Sequence, residues 1–178
     1  MRHGPGLIPI RVGCRAGAAA ALLALLQAHA LAAVPSHCAA EQRTIFSCST
    51  SGRKIVSVCA SPDFSASAGA LQYRFGRARA AEWAYPAIDA DWRTVTRAGV
   101  LTFSGGGGAY LAFANAPYRY IVYSAVGRGW GSKAGVVVEK SGKRVSSLRC
   151  RGGASSELGP DLFAGAGIAE DSSGFELP

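Results

Sequence analysis

The 178-residue chain sets 19 lysines and arginines against 11 acids, for a net charge of +8, and has 49% hydrophobic residues, 23 glycines, five cysteines and three histidines. Its cations stand singly or in pairs (Arg53 and Lys54, Arg77 and Arg79, Lys143 and Arg144), with no run of five or six, so a nucleic-acid-binding arm is excluded. A basic export faces acidic partners instead, such as an envelope polysaccharide or a protein with an acidic surface.

Residues 1–32 read as a signal peptide. Arg2, Arg11 and Arg15 precede the apolar run from Ala16 to Leu26, and small residues at Ala28, Ala30 and Ala32 follow it. Cleavage is expected after Ala30 or Ala32. The apolar run is too short to span a bilayer, so no transmembrane segment is expected after cleavage. Without the three leader arginines the charge falls to about +5. The remaining chain divides into a β domain over 33–153 and a short C-terminal helix and tail over 154–178, and it is expected in the periplasm or secreted.

Cys14 leaves with the leader, and Cys38, Cys48, Cys59 and Cys150 form the even set of a disulfide framework. Three pairings are possible. "RTIFSCST" and "RKIVSVCA" flank Ser51 and Gly52, a two-residue hairpin turn that sets Thr50 against Arg53, Cys48 against Ile55 and Thr44 against Cys59. Cys59 then sits where the chain from Cys38 enters, which favours Cys38 with Cys59 and Cys48 with Cys150. A zinc site has neither the short Cys spacing nor the histidines it needs.

Period-two alternation dominates the rest. "LQYRF" (71–75), "EWAYPA" (82–87), "GVLTFS" (99–104), "AYLAFA" (109–114), "YRYIVYSAV" (118–126), "AGVVVEK" (134–140) and "KRVSSLRC" (143–150) are separated by Gly, Pro, Asn or Ser. With the first hairpin they make about nine strands. No helical pattern intervenes to form a crossover, so the fold class is all-β: an antiparallel small barrel or two-sheet sandwich, disulfide-braced. Ser141 and Gly142 form a second two-residue turn aligning Lys140 with Lys143. Pro160 opens a helix expected to reach about Ala169, and a loose tail follows.

Most catalytic constellations lack parts. Only His37 survives leader removal, so a histidine-based triad would rest on that residue. Asp89 with Asp91, or Glu82 with Glu139, are the carboxylate pairs a carbohydrate-active enzyme could use, but "AIDADWR" reads as a solvated connector. No cofactor is expected. Ser104, Gly105, Gly106, Gly107 and Gly108 read as a permissive turn rather than a phosphate loop, because "GSK" at 131–133 does not open a helix. Trp130, set between glycines and bracketed by Arg128 and Lys133, reads as an exposed contact for a partner, with the glycines keeping the facing surface low.

The motifs "KIVSVCAS", "LQYRFG", "SGGGGAYLAF", "YRYIVYSAVGRGWG", "AGVVVEKSGKRV" and "SELGPDLF" resemble those of a family of small exported Gram-negative bacterial proteins to which no activity is assigned. The resemblance spans nearly all of the mature chain. A looser similarity is to periplasmic lysozyme inhibitors, small disulfide-bearing β-barrels that present a Ser-Gly loop to the acidic lysozyme cleft. Ser104 and Gly105 match the start of that loop; its tyrosine would fall at Gly108, and the nearest one here is Tyr110. This likeness implies an inhibitor as the alternative to a non-enzymatic envelope binder.

Overall fold

Alternating side chains of opposite character suit a strand with one face on a core, and ten strands form in chain order among the described residues. The computed structural model describes residues 34–178 together with Met1 and Gly4, so the expected signal peptide, with Cys14, His3 and His29, lies outside the described residues. The strands are β1 (Arg43–Ser49), β2 (Lys54–Ala60), β3 (Leu71–Arg77), β4 (Ala80–Tyr85), β5 (Thr96–Phe103), β6 (Gly106–Asn115), β7 (Tyr118–Gly127), β8 (Gly131–Lys140), β9 (Lys143–Arg149) and β10 (Ser155–Ser156). They make two antiparallel five-stranded sheets, β10-β1-β2-β3-β4 and β5-β6-β7-β8-β9, stacked as a sandwich rather than closed as a barrel. The sheets meet at one corner. There Ser51 donates its N–H to Arg149 O (3.0 Å) and Arg151 donates to Ser49 O (2.7 Å).

The pairing of Cys38 with Cys59 and of Cys48 with Cys150 follows from the first hairpin, although its turn is one residue longer than the sequence reading has it. Arg53 adopts φ 59°, and Thr50 N–H donates to Lys54 O, which makes a three-residue loop ending in a left-handed residue. Cys48 therefore faces Val56, not Ile55. A bulge between Thr44 and Phe46 removes the offset, so Thr44 still faces Cys59 and the far end of the hairpin keeps its expected register. The second turn needs no correction. Ser141 and Gly142 both have positive φ, and Lys140 pairs with Lys143.

The core between the sheets holds Phe46, Val56, Val58, Leu71 and Tyr73 of the first sheet against Leu111, Phe113, Val122 and Val136 of the second. The sandwich is covered on its outer faces as well. On the first sheet the segment ahead of β1 lies across β1–β3: Ser47 Oγ donates to Pro35 O (2.7 Å), His37 N–H donates to Ser57 Oγ (3.0 Å), and Arg74 donates to His37 O (2.7 Å). On the second sheet the expected loose tail is a packed strap. Phe175 rests 5.1 Å from the Tyr110 ring and 5.5 Å from the Tyr123 ring, and Asp171 accepts a hydrogen bond from Tyr110 and pairs with Arg119. Burial and the neighbouring Asp171 carboxylate push the Tyr110 phenol up to about 12.

Helix α1 runs from Pro160 to Gly165, shorter than expected. The chain then turns so that Ala98 donates to Ala169 O and Asp171 donates to Ala98 O, covering part of the β5 edge. Residues 33–178 form one compact unit that includes helix and strap.

Candidate functional site: the glycine end of the second sheet

The strands β6, β7 and β8 are ten residues long, against seven or fewer in the first sheet. Their turns gather at one end. Ser104 and Gly105 link Phe103 to Gly106, and Arg128, Gly129 and Trp130 link Gly127 to Gly131. Because Gly106 pairs with Gly127, the two turns stand side by side, and Arg128 donates its N–H to Gly105 O (2.9 Å). Ser104, Gly105, Arg128, Trp130 and Lys133 thus lie at one end of the second sheet.

The glycines themselves do different work from that expected. Only Ser104 and Gly105 form the turn, with Gly105 at φ 77°. Gly106, Gly107 and Gly108 are strand residues. A Cβ on Gly106 would collide with Val126 O and lie 2.6 Å from the Phe103 ring, and one on Gly108 would lie 2.5 Å from Ala125 Cβ and 2.6 Å from Ser124 O. Close packing of β6 on β7 therefore requires them. Gly106→Ala and Gly108→Ala are each expected to cost about 1–3 kcal/mol in urea unfolding through overpacking. Gly107→Ala, whose Cβ would meet only Leu101 O at 3.1 Å, is expected to cost less. Equal losses at all three sites would show that intrinsic chain entropy, not packing, sets the requirement.

Trp130 is also more engaged than its glycine neighbours suggest. Its indole lies where a Cβ on Gly127 would be, its ring is 5.6 Å from that of Phe103, and Lys133 Nζ sits 5.1 Å above it, leaving it 38% exposed. Lys133 Nζ also donates to Pro178 O at 3.0 Å, tying the strap to this end.

Beside Trp130 opens a groove of about 540 Å³, lined by Trp130, Ser132, Lys133, Arg149, Gly152 and Gly153 among others, with no carboxylate in its lining. Strand geometry makes it. Strand β9 ends with Arg149 opposite Gly135, and Cys150 donates to Ala134 O, so β8 overhangs its neighbour from Gly131 to Lys133. Backbone groups alternate in direction along a strand, so those of Ser132 point the same way as those of Ala134, into the groove. A second hollow of about 350 Å³ shares Ser124 and Ser132 with the first and passes Gly107 and Gly108 to reach Leu158 and Pro160. The sequence reading did not single out Ser132, Arg149, Gly152 or Gly153. The glycine pair after Cys150 was the available signal.

Three of the four nominated acids have local partners, and Asp89 is exposed in the connector. Asp91 caps the short 3-10 turn Trp92–Thr94 through Arg93 N–H, Glu82 pairs with Lys54 at 2.5 Å, and Glu139 pairs with Arg119 at 2.8 Å. The Lys54 hydrogen bond holds the Glu82 carboxyl below its ordinary value, the opposite of what a general acid requires. His37 reaches Ser57 only through its backbone, and Ser47 and Ser57 are fully buried.

No protein-family model, no curated protein and no solved structure matches this chain. No helix among the described residues is long and apolar enough to cross a membrane. The two disulfides mark a chain that folds outside the reducing cytosol.

Proposed function

We propose that the protein is an exported, non-catalytic binding component of the bacterial cell envelope, and that it takes an acidic segment of a protein partner at the glycine end. The observation that carries this reading is the groove beside Trp130. It is basic through Lys133 and Arg149, has main chain exposed at Ser132, Gly152 and Gly153, and is flanked by a part-exposed indole. Glycines let a partner backbone approach closely, an open strand edge offers it hydrogen bonds, and the cations Lys133 and Arg149 reward an acidic sequence. The leader-like residues 1–32 and the disulfides support a periplasmic or secreted location.

The test places a photo-crosslinking side chain at Ser132 and, as a control, at exposed Val145, in cells exporting the protein. A discrete protein adduct at 132 alone is expected, and Lys133→Glu with Arg149→Glu is expected to reduce it at least tenfold. Trp130→Ala is expected to cost about 1 kcal/mol of stability but about 2 kcal/mol or more of affinity. Equal crosslinking from both positions, or an adduct indifferent to charge reversal, would remove the reading. Ser104 and Gly105, the exposed tip of their hairpin, favour lysozyme inhibition as a second reading, which a lysis assay with Ser104→Ala separates.

A further inference from the structure

At the opposite end of the second sheet, the sandwich opens onto aromatic rings. Strand β4, the edge of the first sheet, contributes Trp83 and Tyr85, paired across β3 with Phe75 and Tyr73. Strand β7 contributes Tyr118 and Tyr120. The Trp83 ring lies 6.3 Å from that of Tyr85 and 6.1 Å from that of Tyr120, and Tyr120 lies 6.5 Å from Tyr118, with interplanar angles of 15°, 37° and 27°. The Trp83–Tyr85 and Tyr118–Tyr120 pairs are near parallel and the Trp83–Tyr120 pair between them is tilted; at these separations the rings form adjoining, gently angled tiles rather than a closed stack. The inner side rests on buried Tyr73, 5.5 Å from Tyr120, and Tyr85 Oη donates to Ala114 O (2.8 Å), which ties the two sheets beneath the tiles. Trp83 and Tyr118 remain 41% and 37% exposed.

The charges around the tiles are lopsided. Glu82 is neutralised by Lys54 and Arg77, and Glu139 pairs with Arg119, which it shares with Asp171, and faces Arg144 across the hairpin. Lys140 sits 5.5 Å over the Tyr118 ring and faces Lys143 across the hairpin, and among the described residues neither lysine has a carboxylate partner. Two like charges held opposite one another cost stability unless an anion lies between or beside them.

We propose that Trp83, Tyr85, Tyr118 and Tyr120, with Lys140 and Lys143 at the rim, form a binding surface for an acidic polysaccharide, distinct from the glycine-end groove. Exposed indole and phenol rings offer flat apolar faces to the C–H faces of sugar rings, and adjoining tiles suit successive sugars along an extended chain. The two hollows of the glycine end are not lined by these four rings, and the flat ring faces suit a sugar better than a protein side chain that needs a pocket. The lysine pair selects sugars bearing carboxylates over neutral ones.

The test is affinity electrophoresis of the protein, purified from cells that express the whole chain, through gels containing polygalacturonate, neutral dextran or poly-glutamate. Polygalacturonate is expected to retard the protein most strongly. Trp83→Ala with Tyr118→Ala is expected to weaken retardation at least tenfold, while Trp83→Phe with Tyr118→Phe keeps most of it and thermal melts verify folding. Lys140→Ala with Lys143→Ala is expected to remove the preference over dextran. No retardation by polygalacturonate, equal retardation by poly-glutamate once the groove is disabled by Lys133→Glu with Arg149→Glu, or full retardation of the aromatic double variant would each overturn the proposal. So would crosslinking of position 83 to an envelope protein without polysaccharide binding.

Discussion

Replacing Cys48 and Cys150 together by alanine is expected to lower the free energy of unfolding by about 4–5 kcal/mol. The bridge joins residues 102 apart in sequence, and the chain-entropy relation gives about 4.7 kcal/mol for a closed loop of that size. It also pins the corner where the sheets meet, next to the Thr50–Cys150 bridge and the hydrogen bonds between 49–51 and 149–151. Replacing Cys38 and Cys59 releases a loop of only 21 residues, for which the same relation gives about 3.3 kcal/mol. That bridge fastens a covering segment, not the two sheets. Urea unfolding of both double variants measures the difference. A larger loss from Cys38→Ala with Cys59→Ala would mean that the cover over Ser47 and Ser57, rather than the long loop, limits stability. Typical net stabilities are only about 5–15 kcal/mol, so the Cys48 and Cys150 variant is expected to be partly unfolded at 37 °C.

Trp92→Ala is expected to cost about 3–5 kcal/mol, the range for truncating a fully buried aromatic. Only 1% of Trp92 is exposed. Its ring packs 5.2 Å from Phe64, its Nε1–H donates to Gly69 O at 3.1 Å, and Arg93 covers it at 4.3 Å. The 61–70 loop and the 86–95 connector thus close on one indole between β4 and β5. Trp92→Phe keeps most of the packing but drops the donor, leaving Gly69 O without it, and is expected to cost about 1–3 kcal/mol. Thermal or urea unfolding distinguishes the two. A loss below about 1 kcal/mol for Trp92→Ala would show that the connector 86–95 folds independently of the core.

Trp92 also marks where sequence reasoning reached its limit. Its surroundings, "AIDADWR", are polar, and the reading of a solvated connector holds for Asp89 and Asp91 but not for the tryptophan between them and β5. Local pattern describes neighbours along the chain, whereas Phe64 and Gly69, which bury the ring, lie more than twenty residues away. The same limit applies to the strap. "GFELP" carries Phe175 and Leu177, and the runs "YLAF" and "YIVY" are apolar at successive positions, a sign of strands covered on both faces. The sign was in the sequence, but not the identity of the cover.

Several features were settled by sequence alone. Alternation and the spacing of turns determined an all-β antiparallel fold, since period two has no other low-energy expression and no crossover was available. The hairpin register determined which cysteines lie at which end. It tolerated an error of one residue at the turn because a bulge absorbed it. Tertiary structure alone decided between barrel and sandwich, which depends on whether the edges β4 and β5 find each other, a contact no local pattern encodes. It also decided that three of the four glycines are strand residues, since only the approach of β7 shows what a side chain there would strike. The aromatic tiles were beyond sequence for the same reason: Trp83 and Tyr120 belong to different sheets, joined by packing and not by hydrogen-bonded pairing, so neither turn length nor periodicity could place one beside the other.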